Sequence, residues 1–265
     1  MQRKLLVWIG ALVALGAAGG LYFYATRPAP APAVAPPPPP LAATPPPAAA
    51  PIANPVPEAS GPPLPALDAS DAPLRAALEE IAGRGALAEL LRPEDLVRHI
   101  VASVDALPRE RLDVEVRPLR RPAGEFLALG PDDGATPDPR NAARYEPYVR
   151  VLGALDMAKL AAVYRHYYPL FQQAYRDLGN PDGYFNDRLV AVIDHLLATP
   201  AVNGPIRLVR PNVMYEFADP KLQALSSGQK LLLRLGPAQR RAVLAQLRAL
   251  RAAVATGGAA GGATQ

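Results

Sequence analysis

Residues 183–197 read GYFNDRLVAVIDHLL, and their periodicity decides between helix and strand. On a helix at about 100° per residue, with Asp187 at zero, Leu189, Val190, Val192, Ile193, Leu196 and Leu197 fall between about 140° and 300°. Asp187, Arg188, Ala191, Asp194, His195 and Ala198 fill the complementary arc. One apolar face and one wet face predict an amphipathic helix over about 185–198, packed on a core.

The same rhythm recurs on both sides. Asp71 is placed to cap a helix through Leu74, Leu78 and Ile81, stopped by Gly83 and Gly85. A second helix starts near Pro93 with Leu96, Val97, Ile100, Val101, Val104 and Leu107 on one face. Glu94, Arg98, His99 and Asp105 take the other. Helices resume at 142–155 and 157–178, where Pro169 predicts a kink or interruption. Ser226 and Gln229 have capping-box spacing before KLLLRLG. Gly236-Pro237 then closes that short helix and opens the last, with Val243, Leu247, Leu250 and Val254 in one stripe. Between these, 114–116, 126–129, 206–209 and 213–217 read as short strands and 130–140 as a turn-rich loop. The prediction is a mainly α domain over 66–254 with one small β element, followed by a disordered glycine-rich tail at 255–265.

The N-terminal quarter has a different composition. Residues 5–24, LLVWIGALVALGAAGGLYFY, carry no charge. As a helix they would extend about 30 Å, the thickness of a bilayer's hydrocarbon core. Arg3 and Lys4 precede the run and only Arg27 follows closely, which predicts a cytoplasmic N-terminus and an exported remainder. A cleaved signal peptide is the rival. The run exceeds the usual ~7–15 residues of such a segment and ends in Tyr22, Phe23 and Tyr24, not in small residues. Residues 1–27 therefore read as a cytoplasmic tip and single-pass membrane anchor. Gly16 and Gly20 have GxxxG spacing, common in membrane helices generally. From 28 to 65 proline and alanine dominate with a single charge, Glu58, giving a disordered or polyproline II linker that reaches on the order of 100 Å.

Composition excludes some chemistry. Of the formal net charge of +4, Arg3, Lys4, Arg27 and Glu58 supply half, so the domain has no electrostatic footprint for nucleic acid. There is no cysteine, hence neither disulfide nor thiol chemistry.

Several strings go together: RYEPYV at 144–149, YPLFQQAYRDLG at 168–179, GYFNDRLVAVIDHLLATP at 183–200, YEFADP at 215–220 and LSSGQKLLLRLG at 225–236. With LPALDASDAPLR at 64–75 and the anchor-plus-linker layout, they resemble the bacterial family known as domain of unknown function 3014. The resemblance implies a single-pass protein of the Gram-negative inner membrane. It carries over no activity, cofactor or catalytic residue.

Each candidate for chemistry also has an ordinary structural role. Asp187, Asp194 and His195 form an acid–histidine group that reads as the wet face of its helix. The catalytic alternative needs a cleft against His166 or Tyr164. Tyr164, Tyr168, Phe171 and Tyr175 make a stripe at i, i+4, i+7 and i+11 that suits core packing or, alternatively, a groove for stacking sugar or peptide. No metal site is expected: His99, His166 and His195 lack zinc spacing, and the oxygen-rich turn at Asp177, Asn180, Asp182, Asn186 and Asp187 lacks EF-hand spacing. Ser227-Gly228-Gln229-Lys230 matches SxxK, but its companion motifs are missing and the serines suit helix capping. Arg240, Arg241, Arg248 and Arg251 read as a solvated face.

The sequence thus favours a non-enzymatic, cofactor-free protein of the bacterial inner membrane with a periplasmic domain that contacts an envelope protein or wall polymer. The alternative is a periplasmic hydrolase of an envelope polymer using the Asp/His cluster.

Overall fold

A computed structural model describes residues 51–58 and 61–255. The anchor at 5–24, the linker up to residue 50 and the tail from 256 lie outside the described residues. Among those described, no helix is long and apolar enough to cross a membrane.

A short 3₁₀ turn at Leu67–Ala69 leads into α1 (Asp71–Ala82), which Gly83 ends at φ 92°. Asp71 corrects its expected role, because its carboxylate serves another helix. It accepts the amides of Asp95 and Leu96, at 2.7 and 2.8 Å, at the start of α2 (Leu96–Ala106). Asp95 stands at φ 51°, a left-handed conformation costing roughly 1–2 kcal/mol, which capping of otherwise orphaned amides helps to offset. On α2, Leu96, Val97 and Val101 are fully buried, as the apolar stripe predicts. Asp105 is the exception: assigned to the polar face, it is buried.

The region after α2 is less regular than expected. Residues 114–116 form a turn, not a strand, held by the Ser103 hydroxyl donating to the Val116 carbonyl at 2.7 Å. Two antiparallel hairpins do form, from strands of two residues each. β1 (Ala128–Leu129) pairs with β2 (Thr136–Pro137), and β3 (Leu208–Val209) with β4 (Glu216–Phe217). A bridge between Ala135 and Leu208 joins them over Ala135, Leu208, Phe217 and Leu233.

Helices α3 (Asn141–Ala154), α4 (Met157–Asp177) and α5 (Phe185–Leu197) precede β3, and α6 (Pro220–Gln223), α7 (Ser227–Arg234) and α8 (Pro237–Val254) follow β4. The domain is mainly helical. Asp156 caps α4 by accepting the amides of Ala158 and Lys159. Pro169 does not interrupt α4 as predicted. An interior proline costs roughly 3 kcal/mol, but its ring points to solvent while Tyr167, Leu170 and Phe171 beside it are buried and hold both flanks. α4 is central and packs against α1, α2, α5 and α8. The stripe on α8 packs as predicted: Val243 and Leu247 meet Val192 and Leu196 of α5, while Leu250 and Val254 meet Val190 and Ile193.

Candidate functional site

The acid–histidine helix is where sequence placed the chemistry, and α5 does separate its faces as the wheel requires. Val190, Val192, Ile193 and Leu196 are buried, Asp194 is exposed, and Asp187 and His195 are half-buried. The three polar side chains do not converge. Each has its own partner on a different element.

Asp187 accepts the backbone amides of Ala53 at 3.0 Å and Asn54 at 2.6 Å, and the Asn54 carboxamide at 3.0 Å. Residues 53 and 54 belong to the stretch read as linker, yet they are hydrogen-bonded to the domain. Asp194 forms a bidentate pair with Arg251 of α8, Nη2 to Oδ2 being 2.9 Å. His195 Nε2 lies 2.9 Å from Ser226 Oγ. His166 packs edge-on against Tyr167, with Gly61 on its ring, and His99 Nδ1 meets the Glu94 carbonyl at 3.1 Å. Tyr164 does reach the start of α5, but through Asn186, donating to its Oδ1 at 3.1 Å. Among the described residues no group of three or more His, Asp or Glu is placed to hold a metal ion.

The tyrosine stripe lies in the core. Phe171 and Tyr175 are buried, and Tyr164 and Tyr168 pack against the same cluster. Burial pushes the Tyr164 phenol well above its ordinary pKa. The Tyr168 hydroxyl donates to Gln172 Oε1 at 2.9 Å, which also accepts the amide of Phe185. Buried Gln172 thus pins the turn between α4 and α5.

The Ser-Ser-Gly segment has a packing explanation. Ser226 caps α7, its Oγ accepting the Gln229 amide at 3.2 Å. The Gln229 carboxamide does not complete a capping box. It donates to the His195 carbonyl at 3.2 Å, tying α7 to α5. A Cβ on Gly228 would stand 2.6 Å from Leu196 Cδ2 and 3.2 Å from the Leu107 carbonyl oxygen, so only glycine fits there unshifted. The Ser227 hydroxyl donates back to the Leu107 carbonyl at 3.2 Å. Lys230 is buried, donates to the Gln223 carbonyl at 3.1 Å, and is pulled below its ordinary pKa by that burial. An open groove of about 410 Å³ runs past this corner, lined by Pro108, Glu110, Pro220, Gln223, Ala224 and Ser226.

Four features of the site were not anticipated from sequence: the contacts of Ala53 and Asn54, the Asp194–Arg251 pair, the His195–Ser226 contact, and the burial of Asn186. The last had a visible signal. Carried back one residue from Asp187, the helical wheel puts Asn186 at about 260°, inside the apolar arc. The other three join residues far apart in sequence and left no local trace.

The Asp194–Arg251 pair gives a pH prediction. The Arg251 guanidinium holds the Asp194 carboxyl below its ordinary value by hydrogen bonding. The pair therefore stabilises the fold above the unfolded carboxylate pKa of about 4, and its contribution disappears as pH falls through the lower folded value. Arg251→Gln is expected to melt slightly below the parent at pH 7 and together with it at pH 2. Melting temperatures across that range check this, and a difference that persists undiminished at pH 2 contradicts it.

These features define a mainly helical domain with two small hairpins and a docked N-terminal segment. The chain belongs to the family described as a protein of unknown function, DUF3014, whose model matches residues 96–251, from the start of α2 to the last turn of α8. No curated protein and no solved structure matches the chain.

Proposed function

We propose that this chain is a membrane-anchored protein of the bacterial cell envelope whose helical domain, held outward on a proline-rich tether, binds an envelope protein or wall polymer. The observation that carries it is the uncharged run at 5–24, preceded by Arg3 and Lys4 and followed by the proline–alanine tract. The separate partners of Asp187, Asp194 and His195 support an interaction role over acid–base chemistry by that cluster. A contact surface is offered at the turn between β3 and β4, where Val213 and Met214 are 76% and 71% exposed side by side.

Two measurements test this. A reporter fused after Gln265 should work only if it is of a kind active outside the cytoplasm; cytoplasmic activity refutes the topology. A photo-crosslinking residue at Met214 in intact cells should capture one defined protein or glycan, with the same residue at exposed Asp182 as the control. Identical, diffuse adducts at both positions count against a binding role for the hairpin turn.

A second reading, an envelope-polymer hydrolase, has one observation in its favour, the His195–Ser226 contact beside the groove. Against it, the amides of Ser227 and Gly228 that would flank a serine nucleophile already donate to the carbonyls of Arg109 and Leu107. A fluorophosphonate probe that labels the parent and not Ser226→Ala would revive this reading.

A further inference from the structure

We infer that Asn186 and Asp187 at the head of α5 form a main-chain-binding site whose resident ligand is the chain's own Ala53–Asn54, a clasp that sets where the tether leaves the domain. The site reads backbone on both sides. Asp187 takes two successive amides and the Asn54 carboxamide, and Asn186 Nδ2 donates to the Asn54 carbonyl at 2.9 Å. Asn186 is fully buried and is held in place independently of the clasp. Its Nδ2 also donates to the Val254 carbonyl at 3.1 Å, and its Oδ1 accepts from Tyr164. The recognising carboxamide is therefore preorganised by α4 and α8 before any tether residue arrives.

Further along, Gly61 lies so close to the His166 ring that a Cβ there would come within 2.6 Å, and Leu64 packs on the main core cluster. The segment is thus docked at separate places on α4 and α5. The contacts at Ala53 and Asn54 are polar and near the surface: Ala53 is exposed and Asn54 half-buried. Such a contact opens at far lower free energy than the core, so the clasp releases without unfolding the domain.

Opening has a geometric consequence that rests on the tether reading above. Release of Ala53 and Asn54 would free the chain as far as the Gly61 contact, lengthening the tether by about 25 Å at roughly 3.1 Å per residue. It would also bare the Asn186–Asp187 site for an extended segment of another chain.

The absence of cysteine allows a direct test on the full chain in detergent. Spin labels are placed at Ile52→Cys and Ala249→Cys, both at exposed positions. The clasp predicts one narrow distance distribution. Asp187→Ala, and separately Ala53→Pro, which removes a donor on the tether without touching the domain, should broaden it and shift it outward by on the order of 10 Å. Helical circular dichroism should be unchanged. A broad distribution in the parent overturns the inference, as does a narrow one that neither substitution moves. Loss of helicity in Asp187→Ala with no effect of Ala53→Pro also overturns it, since Asp187 would then be a structural pillar. The measurement asks nothing of membrane topology and the reporter fusion asks nothing of the clasp, so failure of one is distinguishable from failure of the other.

Discussion

Phe185→Ala should cost the domain about 3–5 kcal/mol, a large share of the roughly 5–15 kcal/mol by which such domains are stable. Phe185 opens α5 and is 1% exposed. Its ring stacks on Phe171 at 5.7 Å between centroids with 5° between planes, and meets Tyr175 at 5.6 Å and Tyr164 at 6.4 Å. Truncation removes the burial of the largest fully buried side chain and leaves a void bounded by rings that cannot collapse into it, because α4 holds three of them on one rigid face. Aromatic pairing adds roughly 0.5–1.5 kcal/mol beyond area. Phe185→Leu, which refills most of the volume, should cost much less, about 1–1.5 kcal/mol. Urea titrations of the full chain, followed by helical circular dichroism, read both values. A loss below about 1 kcal/mol for the alanine variant would mean that the ring is not packed as described.

That core was largely legible in the sequence, and the reason is local. Apolar residues at helical spacing cannot satisfy a second pattern, so α1, α2, α4, α5, α7 and α8 could be read within a few residues of their observed ends. The stripe through Tyr164, Phe171 and Tyr175 was placed on one face by spacing alone, and so was Val243 to Val254. What escaped depends on contacts that spacing does not encode. Pro169 argues for a break, and only the burial of its neighbours on both sides decides otherwise. Asp71 fits the start of its own helix by every local rule, yet its carboxylate serves the amides at 95 and 96 because two helix ends meet there. Of the hairpin strands, β1, β3 and β4 fall inside stretches read as strands, whereas β2 lies in the stretch read as a loop, its two residues too few for an alternating pattern to register. At the candidate site, the wheel separated Asp187, Asp194 and His195 from the apolar face correctly. Their partners, Ala53 and Asn54, Arg251 and Ser226, lie more than thirty positions away in sequence and could be found only in three dimensions.

Asp105→Ala should cost about 2–3 kcal/mol although it removes few atoms. Asp105 is 6% exposed, and its carboxylate accepts from Arg188 Nε at 2.9 Å and from Arg109. Arg188 Nη2 also donates to the Asp105 backbone carbonyl at 2.7 Å, so the residue joins α2 to α5 twice. The two arginines are unequal. Arg109 has a side chain 66% exposed and is readily solvated when its partner goes, so it contributes little. Arg188 is only 31% exposed and would keep a guanidinium half-withdrawn from water with no carboxylate beside it. That stranded charge, more than the lost attraction, sets the cost, and the residual exposure is why the estimate stays below the 3–5 kcal/mol of a fully buried pair. A double-mutant cycle isolates it. Arg188→Met removes the stranded charge, so Asp105→Ala with Arg188→Met should be less destabilised than Asp105→Ala alone. The expected coupling exceeds about 1 kcal/mol, and additivity within about 0.5 kcal/mol would show that the pair is not coupled as its geometry requires. The pair also sits one residue from Asp187. By tying α5 to α2 it fixes the rotation of α5 about its axis, and so the direction in which Asn186 and Asp187 face the tether. Loss of Asp105 should therefore loosen the clasp as well as the fold, broadening the spin-label distances under conditions where the domain is still helical.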